Sequence, residues 1–79
     1  MVIGSYAHLL LQVDPGRADE AASYLATLPS VAQATVTSGP YDVIARVQVV
    51  DLTDEAVSRV VAQAKRTPGL CELRVCRSA

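Results

Sequence analysis

Two strand–helix–strand units, joined through Ser38-Gly39-Pro40-Tyr41-Asp42, account for nearly the whole chain. In the first unit, Tyr6–Val13 reads as a strand, with Ala7, Leu9, Leu11 and Val13 alternating with Tyr6, His8, Leu10 and Gln12. Asp14-Pro15 then predicts a helix start, because Asp caps orphan N–H groups and Pro is tolerated at the first helical position. Ala18, Ala21, Ala22, Leu25 and Leu28 recur at three and four spacing, Asp19 and Glu20 lie near the positive end of the dipole, and Pro29 is the expected stop. Val31–Thr37 follows as a weakly alternating strand. The second unit repeats the order. Val43–Val50 is the clearest strand, and Asp51 to Thr53 are the expected caps of a helix that carries Asp54 and Glu55 in its first turn. Val57, Val60, Val61 and Ala64 form its apolar stripe, Lys65 and Arg66 suit its negative end, and Pro68-Gly69 breaks it. Leu70–Cys76 is the last strand, with Cys71, Leu73 and Val75 expected on one face.

This order predicts an α+β fold, the ferredoxin-like βαββαβ sandwich, in which two helices cover one face of a four-stranded antiparallel sheet. The most apolar strands, the first and third, are expected in the centre. The other face of the sheet carries Tyr6, His8, Leu10, Ile44 and Leu70 beside Gln12, Arg46, Gln48 and Arg74. That mixture suits a protein interface better than a solvated face. The expectation is a homodimer that packs sheet against sheet, in the manner of a dimeric α/β barrel, through Tyr6, His8, Leu10, Ile44 and Arg46.

The need for a partner also follows from size. The chain has 79 residues, read as one domain over 1–79. A domain this short buries only about 60% of the surface its unfolded chain exposes, and its core supplies roughly 3–5 kcal/mol. Seven basic residues face eight acidic ones, scattered along the chain, so there is no electrostatic footprint for nucleic acid. No apolar run approaches the roughly 20 residues of a membrane span, and Met1–Ser5 has no signal-peptide features. The expected location is the cytoplasm, with Cys71 and Cys76 as reduced thiols.

The chemistry concentrates at Ser38–Asp42, where a Gly-Pro pair punctuates a turn and is followed by an aromatic and an acid. Gly39 can present backbone N–H groups to a ligand carboxylate, or simply form a hairpin turn. Asp42 can accept from a ligand ammonium, or cap its own turn. Tyr41 can wall a pocket, or pack at a subunit contact. His8, the only histidine, has no partner at metal-ligand spacing and no oriented residue to make it a base, so it is read as an interface residue. Cys71 and Cys76 lie five steps apart on one strand, so they face opposite sides and do not bridge; both are expected as small buried residues. Nothing here implies a metal or a cofactor, and the protein is not read as an enzyme. The alternative is a small cofactor-independent enzyme of the dimeric ferredoxin-like class, for which only Tyr6, His8 and Arg46 on the open face could serve.

Taken together, the element order, the Ser38-Gly39-Pro40-Tyr41-Asp42-Val43 turn and the Thr67-Pro68-Gly69-Leu70 approach to the last strand resemble the effector-binding, or RAM, domain of Lrp/AsnC regulators over roughly residues 5 to 77. The family's recurring stretch is a Gly, one free position, an aromatic and an Asp before an apolar strand, here Gly39, Pro40, Tyr41 and Asp42. The resemblance implies a module that binds an amino acid or related small molecule. It also implies dimers joined through facing sheets, further assembly into rings, and a ligand held between dimers near this turn. It adds the start of the last strand to the site, namely Cys71, Glu72, Leu73 and Arg74. The chain departs from relatives that often carry Thr there, and Arg74 could hold an acidic ligand group. Full-length members carry an N-terminal helix-turn-helix. This chain starts at the first effector-domain strand, so the expectation is a stand-alone member that binds no DNA itself and whose partners include full-length Lrp/AsnC regulators. An amino-acid-binding ACT domain shares the topology but usually accompanies an enzyme domain.

Overall fold

The structure, a computed structural model, describes residues 5–49 and 54–77. The elements run β1 (Ser5–Val13), α1 (Ala18–Ala26), β2 (Val31–Val36), β3 (Val43–Val49), α2 (Asp54–Ala64) and β4 (Leu70–Arg77). The sheet is antiparallel with strand order β2-β3-β1-β4. This is the ferredoxin-like arrangement, with the first and third strands central. Those two carry the most continuous apolar faces, and central strands are buried by neighbours on both sides. The expected helix caps at Asp51 to Thr53 lie outside the described residues.

The core lies between the sheet and the helices. Ala7, Leu9, Leu11 and Val13 of β1 and Val43, Ala45 and Val47 of β3 are buried, and Ala21 and Leu25 of α1 with Val57, Val60 and Ala64 of α2 close over them. The small residues matter because α1 and α2 must approach the sheet closely to fill a core that has no Phe or Trp. No helix among the described residues is long and apolar enough to cross a membrane.

Local chemistry moves several boundaries. Asp14-Pro15 does not cap α1. The Arg17 amide donates to the Asp14 carbonyl at 3.1 Å, which closes a turn with Pro15 and Gly16 at its centre, the residues such a turn prefers. The helix begins only at Ala18, and Arg17 at its N-cap makes no side-chain cap. At the other end α1 stops at Ala26, before Pro29 can act. The Thr27 hydroxyl donates to the Tyr24 carbonyl at 2.6 Å and competes with the helical ladder. Pro29 instead sits in a turn closed by the Val31 amide on the Leu28 carbonyl at 3.0 Å. Likewise α2 ends at Ala64, so Lys65 and Arg66 follow its last turn rather than occupy it.

The largest departure is at the start of β4. Gln12 pairs with Glu72, but Val13 pairs with Leu70, so Cys71 is an extra residue in a register shift. The shift sends Leu70 to the helix side, where it packs on the core with Leu73. The expectation that Leu70 belongs to the open face is therefore wrong, because strict alternation fails across a bulge. The expectation of buried cysteines fails as well, for Cys71 and Cys76 are both exposed free thiols. Cys71 is displaced by the bulge, and Cys76 pairs with His8 on the open face of the sheet.

Candidate functional site

The Ser38–Asp42 connection is anchored to β1 from both sides. The Asp42 amide donates to the Leu11 carbonyl at 2.8 Å, and the Asp42 carboxylate Oδ2 accepts the Val13 amide at 2.9 Å. The Gln12 side chain donates through Nε2 to the Pro40 carbonyl at 2.6 Å. Within the loop, the Thr37 amide donates to the Asp42 carbonyl and the Thr37 hydroxyl to the Tyr41 carbonyl, each at 2.8 Å. Gly39 has a φ of +126°, a value that side-chain-bearing residues rarely adopt, and a Cβ built on it would touch nothing within 4 Å. Glycine is thus required there by the backbone and not by crowding, and it leaves open space above the turn.

The start of β4 reaches the same end of the sheet from the other side of β1. Asp14, just past β1, donates its amide to the Gly69 carbonyl at 2.8 Å, and its carboxylate accepts the Cys71 thiol at 3.2 Å. Hydrogen bonding to Asp14, partial loss of solvent and the charges of Asp14 and Asp42 push the Cys71 thiol above its ordinary value. Arg74 donates to Glu72 Oε2 at 2.8 Å. That bond, the nearby Tyr41 and the Glu72 charge raise the guanidinium further above its ordinary value. Gly39, Pro40, Tyr41 and Asp42 therefore converge with Cys71, Glu72 and Arg74 across the C-terminal end of β1, with Gln12 between them. Arg74 is already paired within its own strand.

Sequence reasoning missed Gln12, Asp14 and Thr37 as parts of this end. Gln12 carried a signal in its place on the open face, one residue before the bulge. The contributions of Thr37 and Asp14 depend on loop geometry that no periodicity encodes.

The open face of the sheet carries the second group. Cross-strand pairs set Leu10 beside Ile44 and His8 beside Arg46, and the Arg46 guanidinium lies 5.0 Å from the centre of the Tyr6 ring, within cation–π range. Tyr6, His8, Leu10, Ile44 and Arg46 thus share one surface. Gln33 and Thr35 of β2 join it, paired with Arg46 and Ile44. His8, Gln33, Thr35, Ile44 and Arg46 line a depression of about 170 Å³. The weak alternation of β2 hid this polar row, because Gln33 and Thr35 read as strand-neutral residues. Among the described residues no cluster of three or more His, Cys, Asp or Glu side chains could hold a metal.

No curated protein sequence matches the chain. Among solved structures, TTHA0845 from Thermus thermophilus is 25% identical, with a TM-score of 0.83 over 95% of this chain and 92% of that one. Escherichia coli AsnC is 14% identical at a TM-score of 0.81, with 94% of this chain covering 50% of that one, so the chain spans about half the length of that regulator. The transcriptional regulator NMB0573 from Neisseria meningitidis, solved as a complex with L-Met, is 16% identical at a TM-score of 0.78, covering 98% and 51%. At these last two identities the likeness is one of fold. The model of the Lrp/AsnC ligand binding domain matches residues 6–74, which takes in β1, the Gly39–Asp42 turn and the start of β4, and the chain belongs to that family.

Proposed function

We propose that the protein binds a small amino-acid-like effector at the end of the sheet where the Ser38–Asp42 turn meets the start of β4. The observation that carries this reading is the convergence of Gly39, Tyr41, Asp42, Gln12 and Cys71 at that end, beside a glycine with open space above it. One oxygen of Asp42 is committed to the Val13 amide, and the other is the acceptor for a ligand ammonium. The Gly39 backbone is the donor for its carboxylate. The turn is exposed and makes only part of an enclosure, so a neighbouring subunit completes it. The open face, with Leu10 and Ile44 at its centre, supplies the homodimer contact on which further assembly builds. A ligand bound between subunits then shifts the oligomer distribution by its differential affinity for the assembled state.

The test uses the 20 standard amino acids in thermal-shift and calorimetric titrations, with size determined by light scattering at each ligand concentration. L-methionine is the first probe, because it occupies a relative of the same fold. The expected result is saturable stabilisation by at least one amino acid, accompanied by a change in mean size, both lost in Asp42→Asn with the circular dichroism spectrum retained. A flat response to every amino acid, in protein that is folded and oligomeric, overturns the effector reading. A monomer at all concentrations overturns the shared-site mechanism.

A further inference from the structure

We propose that Arg17 is the positioning residue for the β4 half of the effector site, holding Asp14 and Cys71 in place by laying its side chain across Gly69. The inference rests on the effector reading above and adds a residue from outside the converging group. A Cβ built on Gly69 would lie 2.9 Å from Cδ of Arg17 and 3.3 Å from its Cβ and Nε. The stem of Arg17 therefore fills the space where any other residue would carry its side chain. The far end of that stem is pinned, for Arg17 Nε donates to Glu20 Oε1 at 3.0 Å. Its near end is fixed by the backbone, where the Arg17 amide donates to the Asp14 carbonyl at 3.1 Å.

Gly69 joins the two segments that form this half of the site. Its carbonyl accepts the Asp14 amide at 2.8 Å and lies 3.7 Å from the Cys71 sulfur. Two residues later Cys71 stands in the bulge, with its thiol on Asp14 Oδ1 at 3.2 Å. Asp14, Gly69 and Cys71 thus form a closed ring of contacts, and Arg17 covers the one member that has no side chain. Glycine loses more backbone freedom on folding than any other residue, and at a φ of +74° Gly69 has no side chain of its own to fix it. The packed stem supplies that restraint. Arg17 adds little elsewhere. It makes no side-chain cap on α1, and its ion pair with Glu20 is exposed, of a kind that contributes little to stability.

The Cys71 thiol reports this geometry. Its value is raised first by the bond to Asp14, so it falls when that bond is lost. Loss of the Arg17 charge alone acts in the opposite sense, because the cation near Asp14 is then gone. The pH midpoint of iodoacetamide alkylation, measured in a Cys76→Ser background, separates the two. Arg17→Ala is expected to lower the midpoint. Arg17→Met keeps an unbranched stem without the charge and is expected to leave the midpoint at or above the parent's. Arg17→Ser can cap α1; it serves as the truncated variant should Arg17→Ala not fold, and is expected to lower the midpoint as well. Global stability does not move this midpoint, since Cys71 is exposed in the folded protein. L-methionine, titrated by calorimetry into the same proteins, is expected to bind Arg17→Ala severalfold more weakly than Arg17→Met. An unchanged or raised midpoint in Arg17→Ala and Arg17→Ser overturns the positioning role, as does a midpoint lowered equally in Arg17→Met. The midpoints decide this whether or not methionine binds, so failure of the effector reading is told apart from failure of the role given to Arg17.

Discussion

The Asp42 carboxylate accepts the backbone amide of Val13 at 2.9 Å, across 29 residues of chain, at the point where the β1–β4 register shifts. The β1–β3 pairing ends at Leu11 opposite Val43, so the Val13 amide on that side has no strand partner, and the acid after the turn takes it up. Asp42 is therefore a structural fastener with at most one oxygen left for a ligand. Removing the acceptor in Asp42→Ala strands a part-buried amide, at a cost of about 1–3 kcal/mol. Asp42→Asn keeps a carbonyl oxygen in place and is expected to lose clearly less. Urea unfolding with an unchanged m-value measures both, and equal midpoints for Asp42→Ala and the parent protein contradict the fastening role.

The element order, central strands and helix-facing core were legible because each rests on periodicity: Leu9, Leu11, Val43 and Val47 alternate cleanly and are all buried. Asp14, Leu70 and Cys71 escape such a reading for one common reason. A turn at Pro15-Gly16 delays α1, and a bulge opposite Val13 inverts the parity of β4, and neither event leaves a mark on hydropathy. The turn itself was legible as an anomaly, a tyrosine and an acid after Gly39-Pro40. Its hydrogen bonds to Gln12 and Val13 were not, since they depend on which strand lies alongside.

The thiol of Cys71 is exposed yet hydrogen-bonded to Asp14 at 3.2 Å. Its raised value, due first to that bond and then to desolvation and the Asp14 and Asp42 charges, keeps it protonated at neutral pH. Only the thiolate alkylates, so a Cys76→Ser protein should react with iodoacetamide more slowly at neutral pH than an unperturbed exposed thiol, with a rate that rises as pH is raised. Asp14→Asn removes a negative charge beside the sulfur, lowers the thiol value and is expected to speed the reaction severalfold. Mass spectrometry of timed aliquots reads the rate. A slower reaction in Asp14→Asn would reverse the sign and refute the electrostatic account.

Leu25 is fully buried under the sheet and is among the largest core side chains. Leu25→Ala costs about 2–5 kcal/mol, comparable to the roughly 3–5 kcal/mol that a core of this size provides. The isolated variant is expected to be largely unfolded by circular dichroism at 25 °C. Leu10, only partly buried and on the open face, gives the contrast. If the proposed sheet-to-sheet dimer forms, Leu10→Asp is expected to retain the native spectrum at low protein concentration while reducing the size measured by light scattering to that of a monomer. A folded Leu10→Asp protein whose size distribution matches the parent's argues against sheet-to-sheet pairing.

Gly39→Ala separates backbone strain from crowding. At a φ of +126° an L-residue is strained whatever its surroundings, and no heavy atom lies within 4 Å of the new Cβ, so the whole effect comes from the dihedral. Strain of this kind costs about 1–3 kcal/mol when the turn is held in place. It is held, by Gln12 on Pro40 and by Val13 on Asp42. Gln12 on Pro40 is the bond nearest the strained residue, and releasing it is one way for the turn to escape the strain. Gln12→Ala removes the first and lets the loop relax, so the two substitutions should be non-additive, with the double variant less destabilised than the sum of the singles. Chemical denaturation of the four proteins in the cycle measures this. Strict additivity would mean that Gln12 does not hold the turn in its strained shape, and would leave the amide and carboxylate of Asp42 as its anchors to β1.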